Sequence, residues 1–213
     1  MAGRITDIKV QKKNRKRVSV YLDGEYGFSL GVLVAAPLGR GDTLSDEEIE
    51  ELELLDSIQV AYDRTLKYLA YRPRSSAEVS RYLGGKGVAG GVSDQVLRRL
   101  RASGLVDDSA FARYWVENRE RFRPRGRRLL RQELREKGIS NHLIEEALSD
   151  VEEGRSAYEA ALQRASRWAN LDDETFGEKM YGFLRRRGFE YEAIAGTVSR
   201  LLRERAEGET SGA

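Results

Sequence analysis

Leu134-Arg135-Glu136-Lys137-Gly138 is one of three versions of a single pentapeptide. Leu83-Gly84-Gly85-Lys86-Gly87 precedes it and Leu184-Arg185-Arg186-Arg187-Gly188 follows it, with the closing glycines 51 and 50 residues apart. Counted forward from each glycine, apolar residues recur at +5, +10 and +13: Val92, Leu97 and Leu100, then Leu143, Leu148 and Val151, then Ala193, Val198 and Leu201. Counted back five and four, the pairs are Tyr82-Leu83, Glu133-Leu134 and Phe183-Leu184, and two copies carry a proline at −14, Pro73 and Pro124. A fixed period of about 50 residues marks a repeat architecture. Such a chain is a string of similar units with a long surface, which favours binding over a buried active site.

The surroundings of each run are helical. Tyr62, Leu66, Leu69 and Ala70 form one stripe, and Arg72-Pro73 ends it, because the residue before proline is pushed out of the α region. Ser75 with Glu78 is a capping box that opens the next helix. The middle unit starts at the cap Asp107-Asp108 with Phe111, Tyr114 and Trp115, then Leu129, Leu130 and Leu134. The third repeats the plan with Ala157, Ala161, Ala165 and Trp168, then Phe176, Met180, Phe183 and Leu184. Aromatics on these stripes, Phe122 among them, are expected to pack in cores. Upstream, residues 4–30 alternate like strands, and Asp23-Gly24 is a type I′ hairpin signal. Ser45 with Glu48 opens a short acidic helix expected to reach about Leu55. The expected organisation is therefore a β-meander plus short acidic helix (1–57), three helical repeats (58–106, 107–154 and 155–206) and a disordered polar tail (207–213). The fold class is mainly α, as tandem three-helix repeats with a small N-terminal β-meander.

Composition narrows the chemistry. The chain has 213 residues, no cysteine and one histidine, so disulfides and a zinc site are not expected. No apolar run approaches the 18–20 residues of a membrane span, and a soluble, cytoplasmic protein is expected. Gly85-x-Gly87-x-x-Gly90 spells a dinucleotide fingerprint, but it follows no strand and helical periodicity surrounds it. No carboxylate pair or His142 dyad stands out, so neither an enzyme nor a cofactor is expected.

The net charge of +2 hides strong patterning. Arg4 to Arg17 holds seven bases against Asp7, with the turn Lys12, Lys13, Arg15, Lys16 and Arg17 at its end. That turn, with Tyr21, Tyr26 and Phe28 beside it, is a candidate nucleic-acid platform. Arg119, Arg121, Arg123, Arg125, Arg127, Arg128 and Arg131 place seven arginines in thirteen residues across a helix connection. A solvated charged face is the plain alternative. A polyanion or acidic-protein contact accounts better for the density, since the guanidiniums repel one another without a counter-charge.

Three ordered motifs now resemble the RecX family. They are Tyr68-Leu69-Ala70-Tyr71-Arg72-Pro73-Arg74-Ser75, then Gly104-Leu105-Val106-Asp107-Asp108-Ser109-Ala110-Phe111-Ala112, then Leu134-Arg135-Glu136-Lys137-Gly138-Ile139. The resemblance covers about residues 60–205, and the basic meander is similar to the N-terminal extension of some members. It implies an elongated, curved arch of three-helix repeats. It also implies a non-enzymatic modulator that binds RecA and RecA–ssDNA filaments and restrains ATP hydrolysis and strand exchange, in DNA repair, recombination and the SOS response. A monomer is expected. Arg72, Arg74, the Arg119–Arg131 series and the basic turn are the candidate contacts. A stand-alone DNA-binding protein is the alternative.

Overall fold

The structure is a computed structural model that describes residues 2–210. It divides into two compact units, Met1–Val106 and Asp107–Ala213.

The first unit begins with the meander. Strands β1 (Gly3–Val10), β2 (Arg17–Leu22) and β3 (Glu25–Gly31) and the two-residue β4 (Thr43–Leu44) form one antiparallel sheet in the order β3-β2-β1-β4. Asp23 and Gly24 both take positive φ, 49° and 92°, as the type I′ hairpin requires. The one-turn helix α1 (Val32–Ala35) follows β3. Alternation sends Ile5, Val18, Val20, Leu22, Phe28 and Leu30 to one face, where they bury with Leu44 and Ile49. Phe28 thus leaves the proposed aromatic platform, because it lies on the core side of the pleat.

Helix α2 (Asp46–Leu69) corrects the expectation of a short acidic helix. Ser45 and Glu48 form the capping box, but the helix then runs for 24 residues without a break. The acidic stretch ends near Asp56 while the backbone continues, since neither glycine nor proline interrupts residues 46–69. Only the partner changes. Ile49 and Leu52 pack on the sheet, whereas Ile58, Ala61, Tyr62, Leu66 and Leu69 pack with α3 (Ser76–Gly84) and α4 (Gly90–Ala102). Asp56 marks the handover. It accepts from the Gly31 amide at 2.6 Å and from Arg17 at 2.8 Å, tying sheet to helix.

The second unit holds α5 (Asp108–Phe122), α6 (Arg127–Glu136) and α7 (Asn141–Leu148), then α8 (Glu153–Ala165), a 3-10 turn (Ser166–Trp168), α9 (Asp173–Arg186) and α10 (Tyr191–Thr210). α10 continues through Glu207 to Thr210, into the segment read as a tail; Ser211 to Ala213 lie outside the described residues. Among the described residues all strands precede Asp46. Each three-helix group has its own core, one around Phe111, Leu130, Leu134 and Ile144, the other around Ala161, Phe176, Met180 and Leu184.

The three pentapeptides are three copies of one helix ending. Gly87, Gly138 and Gly188 take φ of 74°, 78° and 83°. The next amides, Val88, Ile139 and Phe189, donate back to the carbonyls of Leu83, Leu134 and Leu184 at 3.1, 3.0 and 3.3 Å. This six-to-one bond with a left-handed glycine is a Schellman ending, which satisfies carbonyls the helix leaves open. The leucine whose carbonyl closes the motif is fully buried in every copy.

Candidate functional site

The arginine series does not act as one exposed face. Glu133, on the inward side of α6, organises half of it. Its carboxylate accepts from Arg119 Nε at 2.8 Å, from Trp115 Nε1 at 2.8 Å and from Arg125 Nη1. Glu133 is 8% exposed, so this acid stays buried only because three donors surround it. Arg119 and Lys137 flank the Trp115 ring, with cationic centres 4.5 and 4.9 Å from its centroid. Burial holds the Arg119 guanidinium below the usual arginine range. Burial does the same to Arg125, with the charges of Arg119, Arg123 and Arg187 adding to it. Trp115, expected in the core, is only half-buried, because its indole N–H must reach Glu133.

Two further arginines face inward or sideways. Arg127 Nη2 donates to the Val151 carbonyl at 2.7 Å. Arg131 grips Glu145 with two bonds of 2.7 and 2.9 Å, and that guanidinium holds the Glu145 carboxyl below its usual range. Arg125 and Arg127 therefore face inward, although they lie at the helix connection beside Pro124. An acid and a carbonyl within reach hold them more cheaply than exposure would.

Arg121, Arg123 and Arg128 are the exposed members. Among the described residues, the side chains of Arg123 and Arg128 have no hydrogen-bond partner. Arg121 lies 5.2 Å from the ring of Phe122, which is 64% exposed rather than packed in a core. Phe122 is the last residue of α5 and continues its apolar stripe, but the buried part of that stripe ends at Val116.

The other candidates also divide. Arg72 forms a two-point ion pair with Glu78, at 2.8 and 3.2 Å, and helps brace the start of α3. Arg74 lies over the Tyr68 ring at 4.1 Å, and Tyr68 in turn stacks on Tyr82 at 4.1 Å. Arg17 is bound to Asp56. Lys12, Lys13, Arg15 and Lys16 are exposed, and the Asn14 side chain shapes their turn by accepting from the Lys16 amide at 3.1 Å. Tyr21 and Tyr26 meet edge to face on the sheet's outer surface, with Lys9 4.7 Å from the Tyr21 ring. Changing Lys12, Lys13, Arg15 and Lys16 to Ser should leave the melting curve within about 0.5 kcal/mol, since exposed charges add little to stability. Duplex DNA binding should weaken at low salt, and the salt slope should fall by about 0.9 per lost phosphate contact. Unchanged affinity in an electrophoretic titration would remove this turn from any nucleic-acid role.

The role of Glu133 as a buried hub and the exposure of Phe122 escaped the reading of the sequence. A signal for Glu133 was present: at −5 from the closing glycine the other copies carry aromatics, Tyr82 and Phe183, and a lone acid there breaks the pattern.

Comparison with known proteins matches this arrangement. A family model described as the regulatory protein RecX N-terminal domain matches residues 3–44. Models for the first and second RecX three-helix domains match residues 61–100 and 107–148. Regulatory protein RecX of Bacillus licheniformis is 32% identical over 209 residues, covering 96% of this chain and 80% of the relative. That of Bacillus subtilis is 31% identical over 208 residues, covering 95% and 79%. A crystal structure of regulatory protein RecX aligns with a TM-score of 0.74 at 28% identity, over 92% of this chain and 98% of the other. RecX from Lactobacillus salivarius shares the fold, with a TM-score of 0.61 over 70% of this chain. Three consecutive domain matches in family order, on a chain whose helix endings repeat with the family's motifs, establish that this protein belongs to the RecX family of regulatory proteins.

Proposed function

We propose that this chain is a non-enzymatic regulator that binds RecA and the RecA–ssDNA filament in the cytoplasm and restrains ATP hydrolysis and strand exchange. Family membership carries the reading. The exposed Arg121, Arg123 and Arg128 support it, because unpaired guanidiniums on a helix connection suit a polyanionic surface. Among the described residues no helix is long and apolar enough to cross a membrane. Contact residues spread over separate repeats would add by effective concentration, so weak individual patches would suffice. Direct DNA binding without recombinase is the second reading, favoured by the exposed basic hairpin turn.

The test is RecA ATPase on single-stranded DNA, titrated with the wild type and with a variant carrying Arg121→Ser, Arg123→Ser and Arg128→Ser. The wild type should inhibit, and the triple variant should need roughly ten times the concentration, a loss of about 1.4 kcal/mol. Melting should be nearly unchanged. Equal titration curves at about 0.1 M salt, where the Debye length is about 10 Å, would place the contact elsewhere. No effect of the wild type at saturation would overturn the filament reading itself.

A further inference from the structure

The position five residues before each Schellman glycine separates the repeats chemically. In the middle repeat it is Glu133, which neutralises Arg119 and Arg125. In the third it is Phe183, so no carboxylate occupies the equivalent place. The cations remain. Arg187 and Arg164 sit 4.7 and 5.6 Å from the Phe183 centroid, and Arg164 is 5.4 Å from the Trp168 ring. Arg187 Nη1 reaches across to the middle repeat and donates to the Pro124 carbonyl at 3.1 Å, next to the exposed Arg123. Arg123, Arg164 and Arg187 thus converge at the junction of these two repeats, within the second unit. Among the described residues none of the three has a carboxylate partner. Arg164 Nε is buried without any hydrogen-bond acceptor. A buried donor left open costs free energy unless a ligand or water fills the place. Burial and the charges of Arg123 and Arg164 hold the Arg187 guanidinium below its usual range, consistent with three cations gathered on one spot. Phe122, the residue before Arg123, presents its ring to solvent.

We propose that Arg123, Arg164 and Arg187 form a phosphate-binding site for a single-stranded nucleic acid, with Phe122 stacking on an unpaired base. Guanidiniums suit phosphate oxygens through paired N–H donors. An exposed aromatic next to Arg123 in the chain suits a base freed from a duplex, since every base offers a π-face. An acidic protein surface would use the charges but leave the ring idle. The proposal deepens the filament reading, and its choice of a single strand rests on that reading.

The test uses the full chain without recombinase. A fluorescein-labelled oligothymidylate is titrated by anisotropy at several salt concentrations. Arg123→Ser and Arg164→Gln together should weaken binding by roughly twenty-fold and lower the salt slope by about 1.4, at about 0.7 per phosphate contact on single strands. Phe122→Ala should cost roughly five- to tenfold with the slope unchanged. Arg203→Ser, which removes an exposed charge on α10, should do little. Circular dichroism melts verify folding, and Arg123→Ser alone avoids the packed Arg164 should the pair unfold. Three results overturn the site: folded variants losing no more than Arg203→Ser does, polyglutamate competing as well as oligothymidylate, or duplex binding equally with Phe122→Ala silent. Any of them leaves the filament reading standing, because that is decided by the ATPase assay with recombinase present.

Discussion

Gly126→Ala should destabilise the second unit by roughly 3–5 kcal/mol, a large part of the 5–15 kcal/mol that holds a domain together. The backbone angles are not the reason. Gly126 has φ −68° and ψ 156°, which any residue adopts. The reason is approach. Its amide donates to the Arg187 carbonyl at 3.0 Å, and a β-carbon there would overlap the Gly188 carbonyl and the Phe189 amide. Gly188 returns the constraint, since a β-carbon on it would come within 2.6 Å of Leu129 Cβ. Two stretches of backbone touch here, and backbone cannot yield as a side-chain tip does. Overpacking costs about 1–3 kcal/mol and occasionally more, and separating the two segments also strips the amide of its acceptor at about 1–3 kcal/mol. The variant should therefore melt more than about 10 °C below the wild type in calorimetry. In the first repeat the same place is Ser75, an N-cap side chain, so the demand belongs to the junction and not to the repeat. A variant melting within about 2 °C of the wild type would mean the two helical groups part at little cost.

Glu133→Ala should cost about 2–4 kcal/mol. Removing one partner of a buried ion pair typically costs about 3–5 kcal/mol, because it strands the opposite charge. The figure is reduced here because the Arg119 and Arg125 side chains keep 24% and 22% of their surface in water. Trp115 Nε1 loses its acceptor as well. Glu133→Gln keeps an acceptor without the charge and should lose about half as much. Urea melts give both numbers, with trust in the comparison if the slope m stays constant. Alanine costing under about 0.5 kcal/mol would show that water replaces the carboxylate without penalty, and that the cluster is ornament to the fold.

The repeats were legible because their endings are written in backbone chemistry. A glycine that alone tolerates positive φ, preceded at −4 by a buried leucine, must recur wherever the helix must stop in the same way. The capping boxes at Ser45 and Ser75 and the Asp23-Gly24 turn were legible for the same reason: each is a local hydrogen-bonding rule. What the sequence hid is set by distance in space. The length of α2 was misread because a change from acidic to mixed composition looks like a boundary, although only the packing partner changes there. The arginines looked alike until Glu133, eight residues from Arg125, drew some of them inward and left Arg121, Arg123 and Arg128 outside. Arg164 and Arg187 gave no signal, because what matters is their meeting with Arg123 across a sequence gap of 41 and 64 residues.

Helix α2 has a thermal consequence of its own. One rod serves two hydrophobic cores, so the meander has no private boundary at which to melt. Loosening the sheet frees Ile49 and Leu52, frays the helix from its capped end, and unzips toward Ile58 and Ala61, which the helical repeat needs. Helical order propagates residue by residue once nucleated and is costly to restart. The first unit is therefore built to lose its sheet and its helices in one cooperative event, and damage to the small sheet is felt as instability of the repeat.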